Sequence, residues 1–493
     1  MLIKYAPITL VCMDMITPEP RPAWIAGRPE QGAATSVVHH PYDGSEVATV
    51  AVPGPEQVER AVAAAASVAK ELRRTPAHVR AGALDHVSRV LAARADEIAE
   101  VITAENGKPL KWAEAEARRA VSVFRIAAEE ARRFSGDVQR LDTDPSGDAR
   151  LALTRRVSRG PVLGIAPFNF PLNLVAHKVA PALAVGAPII IKPAPRTPLS
   201  ALILGEILAE TDLPEGSFSV LPLGNAETAA LVADPRLPVV SFTGSGPVGW
   251  SLKDAAPRKH VVLELGGNAA AVVLRDWPDP EGAAHRIATF GNYQAGQSCI
   301  AVQRVIVDAA VADEFVPALL EAVQSQQTGD PYDRNTDVGP VVDEAAAARI
   351  VAWVDEAVQA GAKVLTGGTR EGTTVAPTLL TDVPPDTKAW SEEIFGPVLA
   401  VSIVDGVDEA FAAVNDSAYG LQAGVFTTDV QLAFHASAEL EVGGVIIGDV
   451  PSYRADQMPY GGVKGSGVGR EGVLAAMHDL TEERVTVFTG IDL

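Results

Sequence analysis

The alternation of apolar and polar positions divides the chain into a helical front and a long run of strand and helix cycles. From residue 55 to about 106, alanine-rich sequence with apolar residues at helical spacing predicts helix. Pro55 and Pro76 stand where a first turn tolerates proline, and Thr75 is a plausible cap. A second helical run covers about 112–133. The period then breaks, and 138–158 reads as short β-like runs around the turn signal Asp144-Pro145-Ser146-Gly147. From Gly160 onward, short continuous apolar runs alternate with helical stretches, which is how parallel strands joined by crossover helices read. Strands are predicted at 162–166, 188–192, 218–221, 239–243 and 261–265, with helices at 172–185, 199–210, 226–233 and 248–255. A second cycle places strands near 304–307, 363–365 and 398–401 and helices near 312–324 and 344–360. A last β-like stretch, 484–488, is positioned to complete the 138–158 excursion. The pattern predicts an α/β protein with a dinucleotide-type half.

Composition narrows the functions open to such a fold. At 493 residues the chain exceeds one ordinary core, so two or three domains are expected. A formal charge of -21 repels a phosphate backbone and disfavours nucleic-acid binding. The two cysteines, Cys12 and Cys299, give neither a metal spacing nor a disulfide framework, and no metal site is expected. The apolar run at 8–13 is too short for a signal-peptide core, and no run approaches membrane-spanning length. A soluble cytoplasmic protein without a membrane partner is expected.

Cys299 lies in a small polar run, Gly296-Gln297-Ser298-Cys299. Free cysteines are usually buried, inert hydrophobes, whereas a thiol nucleophile needs a base, oxyanion donors and a way to finish the reaction. Gly244-Ser245-Gly246-Pro247-Val248-Gly249 fits the Gly-x-Gly-x-x-Gly pattern between a predicted strand and helix, where exposed N–H groups favour a pyrophosphate. The fingerprint wants an acidic residue about 20 positions on to hold a ribose. Glu264 stands there, yet it ends a predicted strand and could equally aim a carboxylate into a cleft as a general base.

Phe168-Asn169-Phe170-Pro171, Lys192-Pro193, Phe242-Thr243-Gly244-Ser245, Glu264-Leu265-Gly266-Gly267 and Gly296-Gln297-Ser298-Cys299 occur in that order. Glu392-Glu393-Ile394-Phe395-Gly396-Pro397 and Pro459-Tyr460-Gly461-Gly462-Val463-Lys464 follow, and Glu105-Asn106-Gly107-Lys108-Pro109 precedes them all. Together they resemble the aldehyde dehydrogenase superfamily over nearly the whole chain, with its succinic semialdehyde and lactaldehyde dehydrogenase-like branches nearest in pattern. The resemblance implies a nucleotide-binding domain at 1–137 and 159–262, a catalytic domain at 263–448 and a β oligomerisation element at 138–158 and 480–493. Residues 449–479 would form an active-site loop and the return to the nucleotide-binding domain. A homodimer or homotetramer is implied.

By the same resemblance Cys299 attacks an aldehyde to give a thiohemiacetal, with the Asn169 amide and the Cys299 N–H as oxyanion hole. Hydride transfer to a nicotinamide leaves a thioester, which water activated by Glu264 hydrolyses. Lys178 and Glu471 match proton-relay positions. Lys192 would meet the adenosine ribose, Gly244, Ser245 and Gly249 would lie at the pyrophosphate, Glu393 would hold the nicotinamide ribose, and Phe168 and Phe395 would border the cofactor. Relatives preferring NAD often carry glutamate three residues after the lysine; here Pro195 stands there, followed by Arg196. NADP is therefore the expected cofactor, with NAD also accepted. Arg119 and Arg454 match positions that bind an anionic substrate end, and Arg suits a carboxylate because its planar fork pairs bidentately. Ser298 stands where some phosphate-binding relatives carry arginine, which counts against a phosphorylated substrate. A short carboxylated aldehyde such as succinic semialdehyde is expected, with a small hydroxyaldehyde such as lactaldehyde as the alternative. A CoA-acylating dehydrogenase or thiol acyl transferase would share the thioester step, and a binding protein could keep the fold without the chemistry.

Overall fold

The structure is a computed structural model and describes residues 19–491; Cys12 and the apolar run at 8–13 lie outside the described residues. Five parallel strands lie side by side in the order Phe218–Val220, Ile189–Lys192, Val162–Ile165, Val239–Thr243 and His260–Glu264. Their sequence is apolar and almost wholly buried because helices cover both faces. The order of travel reverses between Val162–Ile165 and Val239–Thr243, where an open α/β sheet leaves a crevice beyond its carboxyl ends. Asn169, Lys192, Gly244 and Glu264 all sit at or just past those ends. Antiparallel strands close both edges: Ala23–Ile25 and Arg28–Glu30 on one side, Gly467–Val468 on the other.

A second sheet runs Lys363–Thr366, Thr378–Thr381, Val398–Val404, Val302–Asp308, Ala269–Val273, Gln422–Phe426 and Gly444–Ile447, parallel except at its first pair. Thr481–Thr489 pairs antiparallel with Arg150–Ser158, which also holds Val138–Arg140. The final β-like stretch thus joins the excursion, and Asp144 accepts the Ser146 N–H at 2.8 Å to make the intervening turn. Val138, Val485, Val487 and Phe488 are exposed on this sheet.

The Glu105–Pro109 motif builds scaffold. Glu105 accepts the Leu199 and Ser200 N–H groups and so caps the helix Leu199–Ala209, while the Asn106 amide donates to the Phe168 carbonyl at 2.8 Å. Lys108 pairs with Glu116 in full burial, and Glu116 also accepts the Leu172 and Asn173 N–H groups at 3.0 Å. This pair fixes the start of the helix Asn173–Ala184, which carries His177 and Lys178. Breaking a buried pair strands the other charge, so Glu116→Ala is expected to cost about 3–5 kcal/mol in denaturant unfolding, with activity lost in proportion to unfolding.

Several local expectations change. The helical front is three helices, Pro55–Arg74, Ala77–Ala93 and Ala95–Asn106. Thr75 caps no following helix: its hydroxyl donates back to the Glu71 carbonyl at 3.1 Å, and Pro76 occupies the cap position. The helix after Gly244 starts at Gly246, two residues earlier than expected, because Pro247 fits the first turn. Strands at Ala269–Val273, Thr378–Thr381 and Gln422–Phe426 escaped the pattern reading: the first and last hold alanine or glycine, which carry little strand signal, and the second is only four residues long.

Candidate active site

Two cavities meet at Cys299. One, of about 660 Å³, runs along the carboxyl ends of the first sheet; the other, of about 240 Å³, opens between the helices Leu110–Arg133 and Pro280–Asn292 and the 452–460 loop. Leu174, Thr243, Glu264 and Cys299 line both. The sequence before the cysteine is forced into place: Gln294, Ala295 and Gly296 all have left-handed backbone, φ 52°, 54° and 69°. For the two non-glycine residues this is a strained state that surrounding packing must hold. Gly267 is needed opposite, since a Cβ there would come within 2.2 Å of the Cys299 carbonyl.

The thiol is hydrogen-bonded to the Tyr460 hydroxyl at 2.9 Å, and burial pushes it up to about 12 against that bond. Asn169 is buried, and its amide donates to the Gln297 carbonyl at 2.9 Å, beside the sulfur's own loop. Glu264 ends its strand with both carboxylate oxygens buried and unpartnered. Burial pushes its pKa well above the carboxylate range; the nearby Glu471 charge adds to this, and Arg454, Lys178 and Arg470 oppose it. Lys178 Nζ donates to Thr243 at 2.7 Å and to Ser241 at 3.0 Å, and faces Glu471 at 3.4 Å. Burial lowers Lys178; for Glu471 burial is overcome by Lys178 and Arg454, which hold it ionised. A base that needs its carboxylate free must work above its pKa. The rate of any Glu264-dependent step is therefore expected to climb with pH from a midpoint well above 4.5, and the climb should vanish in Glu264→Gln when rates are followed across pH.

The larger cavity has the features a dinucleotide requires. Lys192 lines it, buried, with no carboxylate partner among the described residues, and desolvation lowers its pKa to about 8. The Ser245 hydroxyl makes no cap bond to its helix, and a Cβ at Gly246 would meet nothing within 4 Å, so the helix N-terminus stays open. Glu393 accepts the Gly267 N–H at 2.8 Å; a Cβ on Gly266 would lie 2.4 Å from its carboxylate. Phe395 has φ 53°, strained for an aromatic residue, and meets Phe168 edge-on at 6.0 Å. Gly249 is a correction: it does not line this cavity but lets its helix approach the sheet, a Cβ there falling 2.3 Å from Leu265.

Arg119 and Arg454 both line the smaller cavity, and so does Arg286, which the sequence reading passed over because it lies in no motif. Each has a carboxylate partner. Arg119 bonds Asp456 at 2.8 Å, Arg286 bonds Asp449 at 2.7 Å, and Arg454 bonds Glu471 at 3.0 Å while covering the Tyr460 ring at 3.8 Å. The Arg454 Nε is buried without a partner. His177, next to Lys178, faces Asp456 at 3.4 Å; burial lowers its pKa to about 4 and leaves it neutral. Ser298 accepts the Tyr293 hydroxyl at 2.6 Å. Among the described residues no cluster able to hold a metal is present, and no helix is long and apolar enough to cross a membrane.

A strand order that places a nucleotide-sized crevice beside a thiol, a free carboxylate and a ring of arginines defines a class. Residues 28–486 match the model of the aldehyde dehydrogenase family, and the chain belongs to it as an NAD(P)-dependent enzyme that oxidises aldehydes. It is 40% identical over 465 residues to a 3-sulfolactaldehyde dehydrogenase of Priestia megaterium, covering 94% of this chain and 97% of the relative. The crystal structure of aldehyde dehydrogenase 21 from Physcomitrella patens with the reaction product succinate superposes with a TM-score of 0.95 at 42% identity, covering 97% of this chain and 99% of the other. A glyceraldehyde-3-phosphate dehydrogenase from Bacillus halodurans complexed with NADP gives 0.91 at 35%, covering 96% and 99%.

Proposed function

We propose that the protein oxidises a short aldehyde bearing an anionic tail, succinic semialdehyde or a close analogue, to the carboxylic acid with NADP as preferred cofactor. The observation that carries this reading is the convergence of Arg119, Arg286 and Arg454 on the one small cavity that also holds Cys299 and Glu264. A three-carbon to five-carbon chain with a terminal carboxylate or sulfonate suits a cavity of about 240 Å³ walled by Trp112, Phe170 and Phe290. The structure of a relative with succinate and the likeness to a sulfolactaldehyde dehydrogenase support the same class of substrate.

In this reading the Cys299 sulfur adds to the aldehyde carbon, and the Asn169 amide and the Cys299 N–H donate to the oxygen that becomes negative. Fixed donors of this kind stabilise the transition state by about 3 kcal/mol each. The nicotinamide ring, when bound, supplies the hydride acceptor. Lys192, the open helix start at Ser245 and Gly246, Glu393 and Phe395 would hold the cofactor along the larger cavity. Glu264 takes the proton of the water that hydrolyses the thioester, and Thr243, Lys178 and Glu471 provide a buried polar path behind it. That base favours hydrolysis over transfer to CoA. The exposed three-stranded sheet is the surface we assign to self-association, as a dimer or tetramer. The test is a steady-state panel of charged and neutral aldehydes with each cofactor and no CoA; acid release matched to cofactor reduction is expected.

Preference for NADP rests on Lys192 standing without a carboxylate at position 195. Arg196 does not share this task, because it pairs with Asp343 at 2.8 Å and does not line the cavity. Pro195→Glu is expected to cut kcat/KM for NADP by about tenfold to a hundredfold through repulsion of the 2′-phosphate, while NAD is retained. Initial rates with both cofactors check this, and a large preference for NAD in the unaltered enzyme would sink the assignment.

A further inference from the structure

We propose that Tyr460 is a catalytic residue: its hydroxyl donates to the Cys299 sulfur and stabilises the thiolate. The two atoms are 2.9 Å apart, and Tyr460 is buried in a small cluster with Ile300, Leu421 and Cys299. Asn169 lines the nucleotide cavity and Tyr460 the arginine cavity, while Cys299 lines both. The phenol can therefore hold the sulfur without competing for the aldehyde oxygen.

Burial raises the pKa of the phenol, so it keeps its proton; Arg454 opposes that shift, and three contacts fix the direction of the hydroxyl. The Arg454 guanidinium covers its ring at 3.8 Å, drawing electron density from it. Tyr460 and Glu471 exchange backbone hydrogen bonds, N–H to carbonyl at 2.9 and 2.6 Å, and the Glu471 carboxylate bonds the same arginine. Ring, cation and carboxylate thus form one unit, and the arm that would receive the substrate's charged tail is built onto the group that touches the nucleophile. The charged and titratable groups facing the sulfur are Glu264, Glu393, Arg454, Tyr293 and Tyr460. Two of these are carboxylates that disfavour a second negative charge, so direct donation to sulfur is the contact that most favours the thiolate. When the thiol ionises, its proton passes to water in the cavity and the phenol keeps its own, donating to the sulfur anion. When the thioester is later hydrolysed, the C–S bond breaks and the departing thiolate regains that donor.

The inference rests on Cys299 being the nucleophile, and Cys299→Ala tests that separately: turnover surviving in Cys299→Ala would defeat the parent reading whatever Tyr460 does. For Tyr460 itself, Tyr460→Phe keeps the ring and its stack and deletes only the hydroxyl. In a Cys12→Ser background, alkylation of Cys299 by iodoacetamide is followed across pH without aldehyde. Because burial already pushes the thiol up to about 12, the readout is the alkylation rate at each neutral to mildly alkaline pH, which is expected to be about tenfold slower in the variant. The KM for succinic semialdehyde should stay within about twofold while kcat falls, because Arg454 keeps its carboxylate partner. A rate that is unchanged, or faster because the hydroxyl had been accepting from the thiol, would overturn the proposal. Thermal unfolding of the same variant, together with Tyr460→Trp, guards against a collapsed pocket. A lowered midpoint of melting with normal alkylation also counts against a catalytic role.

Discussion

Glu264→Gln is expected to release one equivalent of reduced cofactor per active site and then nearly stop. The amide fills the same buried volume and leaves Cys299 in place, so addition and oxidation can proceed once. Hydrolysis then lacks its base, and the steady rate should fall by about a thousandfold, the scale of a positioned general base. The carboxylate has the required character: both oxygens are buried and unpartnered, and it sits where the two cavities join. Because burial and Glu471 raise its pKa, its ionised fraction grows as pH rises, and the burst-to-steady ratio of the unaltered enzyme should shrink in the same direction. Rapid-mixing fluorescence of the reduced cofactor reads both phases. A variant that loses burst and steady rate equally would assign Glu264 to activation of the thiol instead.

Arg454→Ala is expected to damage more than substrate binding. It removes the cation from Glu471, with which it shares a 3.0 Å buried pair, and strips the stack from Tyr460. Unpairing a buried charge costs about 3–5 kcal/mol, so the melting temperature should fall together with kcat for every aldehyde, charged or neutral. The KM for an anionic aldehyde should rise further, by about a hundredfold. Arg119→Gln is the cleaner probe of recognition: Arg119 is partly exposed, and Asp456 keeps His177 as a neighbour when it is gone.

The first sheet was readable because parallel strands buried on both faces leave short unbroken apolar runs, as in Ile189–Lys192. The same logic failed for Ala269–Val273, whose alanines carry little strand signal, and for the break between Ala93 and Ala95, where no proline or glycine marks a kink. In the site, residues inside short motifs do come together: Cys299 and Glu264 line both cavities, and Asn169, Lys192 and Glu393 line the larger one. What sequence could not supply was partnership. Nothing local tells that Tyr460 points its hydroxyl at a sulfur 161 positions away, that His177 faces Asp456, or that Arg286 completes a trio of arginines. Those facts arise where the 449–479 segment folds back across the first sheet, anchored by Gly467–Val468.

The most direct test compares two aldehydes of equal length, succinic semialdehyde and butanal, in the unaltered enzyme and in Arg119→Gln, with NADP and no CoA. In the unaltered enzyme kcat/KM is expected to favour the charged substrate by about a hundredfold, and the substitution to erase most of that preference while leaving the rate with butanal nearly unchanged. Equal efficiency with the two aldehydes in the unaltered enzyme would contradict an anion-binding pocket and put the alternative, a small neutral hydroxyaldehyde, ahead of the carboxylated one.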